Sequence, residues 1–122
     1  VGALTFGIAI CRDSTFPAPA RVMASRGAAA LFVPTNNGMP AARGGAELVA
    51  EARSGDIARA IECSVSVIRA DVAGRTPDLV SYGSSWIVNQ DGVVLGSARQ
   101  IEADLVVAEI DVSPRSGMAR LA

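Results

Sequence analysis

The chain contains no lysine and no histidine; all eleven of its basic residues are arginines. The commonest general acid–base side chain is therefore missing, and so is any ammonium for catalysis. Zinc sites built on histidine are excluded as well. Two cysteines, Cys11 and Cys63, stand 52 positions apart and make no Cys-rich metal site. No metal and no cofactor is expected. Nor does any apolar run approach the length needed to cross a bilayer, so no membrane partner is expected. Eleven basic against twelve acidic residues give a net charge of −1. That lacks the basic excess of a protein that binds nucleic acid by counterion release. Chemistry in this chain must come from cysteine, carboxylates, hydroxyls, amides or the backbone, or from groups brought from outside.

What is present points to a folded unit. Half of the residues are apolar and 19% are charged, which excludes a disordered chain. At 122 residues the chain falls within the size of one domain, and a globule of that length buries roughly two-thirds of its unfolded surface without needing staples. The opening Val1–Ile10 lacks a charged n-region, so no secretory signal is read and two reduced thiols in a cytoplasmic chain are expected. That opening also lacks a Met and enters directly on a strand-like run, as a fragment or processed chain would.

The periodicity alternates between strand and helix. Residues 4–11 form a nearly continuous apolar run, expected as a strand covered on both faces. Asp13, Ser14 and Thr15 offer N-cap oxygens, and Pro17 or Pro19 suits the first turn of a short helix that ends near Gly27. Residues 28–33 read as the next buried strand. Residues 35–45 read as a loop with Asn37-Gly38 as its turn signal. Residues 46–64 read as a helix with Leu48, Ala52, Ile57 and Ile61 near one face. Gly55 inside it costs about 1 kcal/mol relative to Ala and implies a packing or kinking reason. A strand over 65–72, a loop over 73–77, a hairpin of 84–88 and 93–97 turning at Asp91-Gly92, a last strand over 105–111 and a tail over 113–122 complete the reading. The order predicts an α/β fold, a helix-covered sheet with an antiparallel hairpin added late. A mean hydropathy of +0.35 is high for so short a chain, which suggests that one sheet face packs on something outside it.

Cys11 is placed where a strand ends and a helix begins, a corner that can lift a side chain toward a ligand and stabilise a thiolate or a developing oxyanion. Arg12 beside it favours the thiolate, but no base lies near in sequence. A buried Cys is also an ordinary small hydrophobe, and Asn36 and Asn37 are also ordinary turn formers.

The string Ile8-Ala9-Ile10-Cys11-Arg12-Asp13-Ser14-Thr15-Phe16-Pro17, followed by Leu31-Phe32-Val33-Pro34, Ala58-Arg59-Ala60-Ile61-Glu62, Ser81-Tyr82-Gly83-Ser84-Ser85 and Val107-Ala108-Glu109-Ile110-Asp111, resembles the carbon–nitrogen hydrolases, the nitrilase and aliphatic amidase superfamily. The resemblance runs through nearly the whole chain. It implies one half of a four-layer αββα sandwich, with residues 1–122 as a single partial domain, the C-terminal half. It also implies a cysteine hydrolase of amides or nitriles that works through a thioester, with Cys11 as nucleophile and the Arg12 amide at the oxyanion. Asn36 and Asn37 would stand in the substrate loop. The implied partners are a small amide or nitrile substrate, an N-terminal half, and further copies in a homo-oligomer. In that family a Glu base, an oxyanion Lys and a second Glu precede the Cys, and here none does. Ala18 replaces the usual Glu after Phe-Pro, Cys63 stands where Asn is common, and Arg12 replaces Tyr, Asn or His. Members that take carbamoyl amino acids clamp the carboxylate with Arg after the Cys. Ser14 and Thr15 occupy those places, which leans toward a neutral substrate unless Arg43 or Arg75 substitutes.

Arg59 and Glu62, at i and i+3, are positioned to pair on the second helix; the resemblance places such a pair near a subunit interface. Serines 84 and 85 have turn and strand roles rather than nucleophilic ones, and Trp86 and Ile87 read as core or interface. The competing function is a catalytically silent remnant serving as an oligomerisation or binding module. A flavodoxin-like nucleotide binder is disfavoured because no Gly-rich phosphate loop follows the first strand.

Overall fold

The computed structural model describes residues 3–40 and 45–113. Strand β1 (Phe6–Ile8) leads through a 3-10 turn (Cys11–Thr15) into helix α1 (Pro17–Ser25), and then into β2 (Ala30–Thr35) and β3 (Gly38–Pro40). Helix α2 (Ala46–Cys63) is followed by β4 (Ser66–Asp71), β5 (Ala73–Arg75), β6 (Leu79–Tyr82), β7 (Trp86–Val88) and β8 (Val94–Ser97). Five strands form the main sheet in the order β1-β2-β4-β7-β8, and β3-β6-β5 form a small antiparallel sheet beside it. The pairs β1–β2 and β2–β4 are parallel; β4–β7 and β7–β8 are antiparallel. The expected α/β fold with a mixed sheet is present.

The two β-α-β crossovers step in the same direction across the sheet, and right-handed connections then place both helices on one face. The core lies there: Leu31, Val33, Val67, Trp86 and Val88 point toward α1 and α2 and meet Ala20, Ala60 and Cys63. The other face is different. Register aligns Ile8, Phe32, Ile68, Ile87 and Gly96 in one row across all five strands. Ile8 is 56% exposed and Phe32 37%. The expected strand covered on both faces is therefore corrected: β1 is a three-residue edge strand with helices on one side only. Phe6 packs edge-on to Phe32 at 5.3 Å between ring centroids, so the open face carries a small apolar cluster of its own.

Several boundaries move for physical reasons. The expected last strand over 105–111 is not a strand: among the described residues it joins no ladder, with Leu105 and Val107 exposed and Val106 lying over Gly96 of β8. The loops expected at 35–45 and 73–77 contain the short strands β3 and β5. Ser14 and Thr15 do not cap α1: each hydroxyl donates back to a carbonyl three residues earlier, of Cys11 and Arg12 respectively, at 2.6 Å. The cap position of α1 is Phe16. Gly27, at φ +95°, does follow its last turn as expected. The hairpin turn is also as expected, Asn89 Oδ1 accepting from the amides of Asp91 and Val93 at 2.9 Å each. The expected tail lies outside the described residues from Pro114 onward.

Candidate active site

In a sheet with parallel strands, the crevice beyond their carboxyl ends is where ligands bind. Three polar residues leave those ends here. Cys11 follows β1, Asn37 follows β2, and Asp71 is the last residue of β4. Cys11 is half-buried and its thiol reaches Asn37 Oδ1 at 3.8 Å. Its backbone has φ +47°, a left-handed conformation that costs a side-chain-bearing residue roughly 1–2 kcal/mol. Strain of this kind persists only where surrounding contacts over-determine it, and it clusters at functional sites.

The contacts are identifiable. Ser14 Oγ holds the Cys11 carbonyl, and Asp13 Oδ2 accepts from the Ile10 amide at 3.3 Å. Asn37 is held by its own backbone: its amide donates to Asp71 Oδ1 at 3.1 Å, while the Ser84 amide donates to Asp71 Oδ2 at 2.9 Å. Asp71 thus ties the loop after β2 to the segment before β7. Ser85 Oγ accepts from the Asp71 amide at 2.9 Å, the structural role expected for that serine.

A cavity of about 310 Å³ opens in front of Cys11, lined by Arg12, Asn37, Glu51, Gly55 and Arg69 among others. Of the expected site residues, Cys11, Arg12 and Asn37 line it. Asn36 does not; it is exposed. The Arg12 amide sits in the first turn of the Cys11–Thr15 helix, where amides have no acceptor within the helix. The helix start beside the sulfur is thus that 3-10 turn and not α1. Arg75 is exposed on β5 and does not line the cavity, and Arg43 lies outside the described residues.

Behind the cavity stands a network that sequence inspection missed. Arg69 of β4 donates from Nε to Asp56 Oδ2 at 2.7 Å and from Nη2 to Asp56 Oδ1 at 2.8 Å. Its Nη1 reaches Thr35 Oγ1 at 3.0 Å, and its Nη2 also reaches Ser14 Oγ at 2.8 Å. Trp86 Nε1 donates to Asp56 Oδ2 at 2.7 Å. Asp56 and Arg69 are 1% and 5% exposed, so the pair is fully desolvated and must satisfy itself. The only available signal was a single acid on the apolar side of α2 and a single Arg inside a buried strand.

Cys63 is buried at the end of α2, unbonded to Cys11. Burial, and then the neighbouring Glu62 carboxylate, push its thiol up from the ordinary value. Glu62 itself accepts from Arg59 Nη1 at 2.9 Å, the expected i,i+3 pair, with Arg21 at 3.7 Å. Among the described residues there is no group of three or more acids, cysteines or histidines able to hold a metal, and no helix long and apolar enough to cross a membrane.

Comparison with known proteins adds the lineage. The family model described as carbon-nitrogen hydrolase matches residues 1–119. A nitrilase of Pyrococcus abyssi is 33% identical over 112 residues, 92% of this chain and 39% of its own length. A carbon-nitrogen hydrolase of Helicobacter pylori superposes with a TM-score of 0.80 at 24% identity, covering 86% of this chain and 39% of that one. An amidase of Nesterenkonia superposes at 0.61 with 28% identity, over 78% of this chain and 33% of that one; a mutant of it carries the acetamide moiety of fluoroacetamide covalently on its active-site cysteine. The chain thus spans about two-fifths or less of the length of each of these relatives.

Proposed function

The chain belongs to the carbon–nitrogen hydrolase family, and from that premise we propose that it is the cysteine-bearing C-terminal half of a hydrolase of amides or nitriles, with Cys11 as the nucleophile. The observation that carries the reading is the left-handed backbone of Cys11 at the mouth of a cavity shared with Asn37. The covalent adduct on the cysteine of the Nesterenkonia amidase is consistent with it.

For an amide the chemistry balances in two steps. The Cys11 sulfur gives up its proton to a base and attacks the carbonyl carbon, forming a C–S bond and a tetrahedral oxyanion beside the Arg12 amide. Collapse breaks the C–N bond, and the leaving nitrogen takes a proton from the conjugate acid. Water then attacks the thioester, giving its own proton to the base, and the sulfur leaves with a proton restored. Asn37, fixed through Asp71, is the substrate-side polar group. Ser14 and Thr15, both turned back to carbonyls, leave no carboxylate clamp after the Cys, in keeping with a neutral substrate.

This chain has no Lys, and Glu51 on α2 is the one carboxylate among the described residues that line the cavity. The remaining acid–base groups then come from an N-terminal half within about 3 Å of the reacting atoms. The exposed part of the row across the main sheet, Ile8 and Phe32 with half-buried Ile68 beside them, is the surface on which that half would stack. Mixing the chain with an N-terminal half that supplies a Glu and a Lys, then measuring ammonia release from short aliphatic amides, tests the proposal. Release that needs both parts and vanishes in Cys11→Ala supports it. No gain over the chain alone favours the binding-module alternative instead.

A further inference from the structure

The contacts that hold Cys11 lead away from the cavity into the core. Its carbonyl accepts from Ser14 Oγ at 2.6 Å, and the same Oγ accepts from Arg69 Nη2 at 2.8 Å. A hydroxyl has one proton to give. Having given it to Cys11, Ser14 is held in direction by what Arg69 donates. Arg69 in turn is fixed on three sides, by both Asp56 oxygens and by Thr35. Two parallel N–H groups suffice to pair a carboxylate. The further N–H is directed past Asp56 to the cavity edge, where it reaches the hydroxyl of the residue that grips the strained turn.

We infer that Arg69, acting through Ser14, is a positioning residue for Cys11. It fixes the carbonyl of Cys11, and with it the left-handed backbone that sends the sulfur toward Asn37 rather than into the sheet. The inference rests on the reading of Cys11 as nucleophile and adds to it the group that sets its direction. A Lys at position 69 would keep the charge but lose the planar fork that reaches Asp56, Thr35 and Ser14 together.

The test is carboxamidomethylation of Cys11 by iodoacetamide, followed against pH by peptide mass in the intact chain. Ser14→Ala removes the link at a half-buried position, and Ser14→Thr keeps the hydroxyl. Ser14→Ala is expected to slow the limiting alkylation rate roughly tenfold, within the loss that a misplacement of about 1 Å produces, and Ser14→Thr to restore it. Arg69→Lys should move the rate the same way. A Ser14→Ala profile that superimposes on the unsubstituted one, whatever happens to the melting temperature, overturns the inference and leaves the contact purely structural. Should Arg69→Lys fail to fold, the two Ser14 variants still decide. Alkylation needs neither a base nor another half. Absent amide hydrolysis in the two-part assay would therefore remove the hydrolase reading without touching this result, and an unchanged alkylation profile beside intact hydrolysis would remove only this inference.

Discussion

The indole nitrogen of Trp86 and the carboxylate of Asp56 meet at 2.7 Å inside the core, on the same oxygen that receives Arg69 Nε. Asp56 therefore neutralises a buried guanidinium and satisfies a buried N–H at once. Asp56→Asn keeps the shape but leaves Arg69 as an unpaired buried cation, and a loss of about 3–5 kcal/mol is expected. Trp86→Phe removes one hydrogen bond from an acceptor that Arg69 still occupies, and should cost only about 1–2 kcal/mol. Urea denaturation of both variants checks the ranking. A larger loss in Trp86→Phe would mean that ring packing, not the charge pair, dominates.

Cys11 gives a prediction with an inverted sign. Glycine is ordinarily less favourable than alanine in ordered structure, but at φ +47° the missing Cβ removes the steric cost. Cys11→Gly is expected to be about 1 kcal/mol more stable than Cys11→Ala, while both lose any reaction at the sulfur. Equal stabilities would mean that the left-handed turn relaxes once the thiol is gone.

How far these features could be read in advance depended on whether the signal was local. The strand-to-helix corner at Cys11, the Gly27 stop and the Asn89–Gly92 turn were legible because neighbouring residues alone determine them. The left-handed backbone of Cys11 was not, since Ser14 holds it with help from Arg69, 55 positions further on. Asp56 and Arg69 could not be paired in advance, because nothing in either segment shows that β4 brings one beside the other. The run 105–111 departs from its expected strand for the opposite reason: a short apolar run states a preference for a strand but not whether a neighbouring strand will pair with it. Strands β3 and β5, three residues each and containing Gly38, Pro40 and Gly74, carry almost no pattern of their own.

Cys63 makes stability depend on alkaline pH. Its folded thiol is raised above the ordinary value, so between that value and the folded one the unfolded chain releases a proton that the folded chain retains. The native state then binds more protons, and stability falls as pH rises. The contribution is complete below about pH 8.5, the ordinary thiol range, and is lost above it. Thermal melts between neutral and alkaline pH should show a steeper decline in the unsubstituted chain than in Cys63→Ala. Parallel declines would locate the sensitivity elsewhere.

Gly55 was expected to have a packing or kinking reason, and the structure supplies no packing reason: a Cβ there would meet nothing within 4 Å. The residue lies inside α2, where Gly costs about 1 kcal/mol relative to Ala, and it lines the cavity in front of Cys11. What the glycine leaves is space. Gly55→Ala is therefore expected to raise the melting temperature by a few degrees, roughly as 1 kcal/mol does in a domain of this size. Gly55→Leu should stay folded yet narrow the cavity, so Cys11 should lose more of its reactivity toward N-ethylmaleimide than toward the smaller iodoacetamide. If both reagents slow equally, the side chain at 55 does not enter the space that leads to the sulfur. If Gly55→Ala lowers the melting temperature, the helix needs glycine at that point for its backbone and not for the room it leaves.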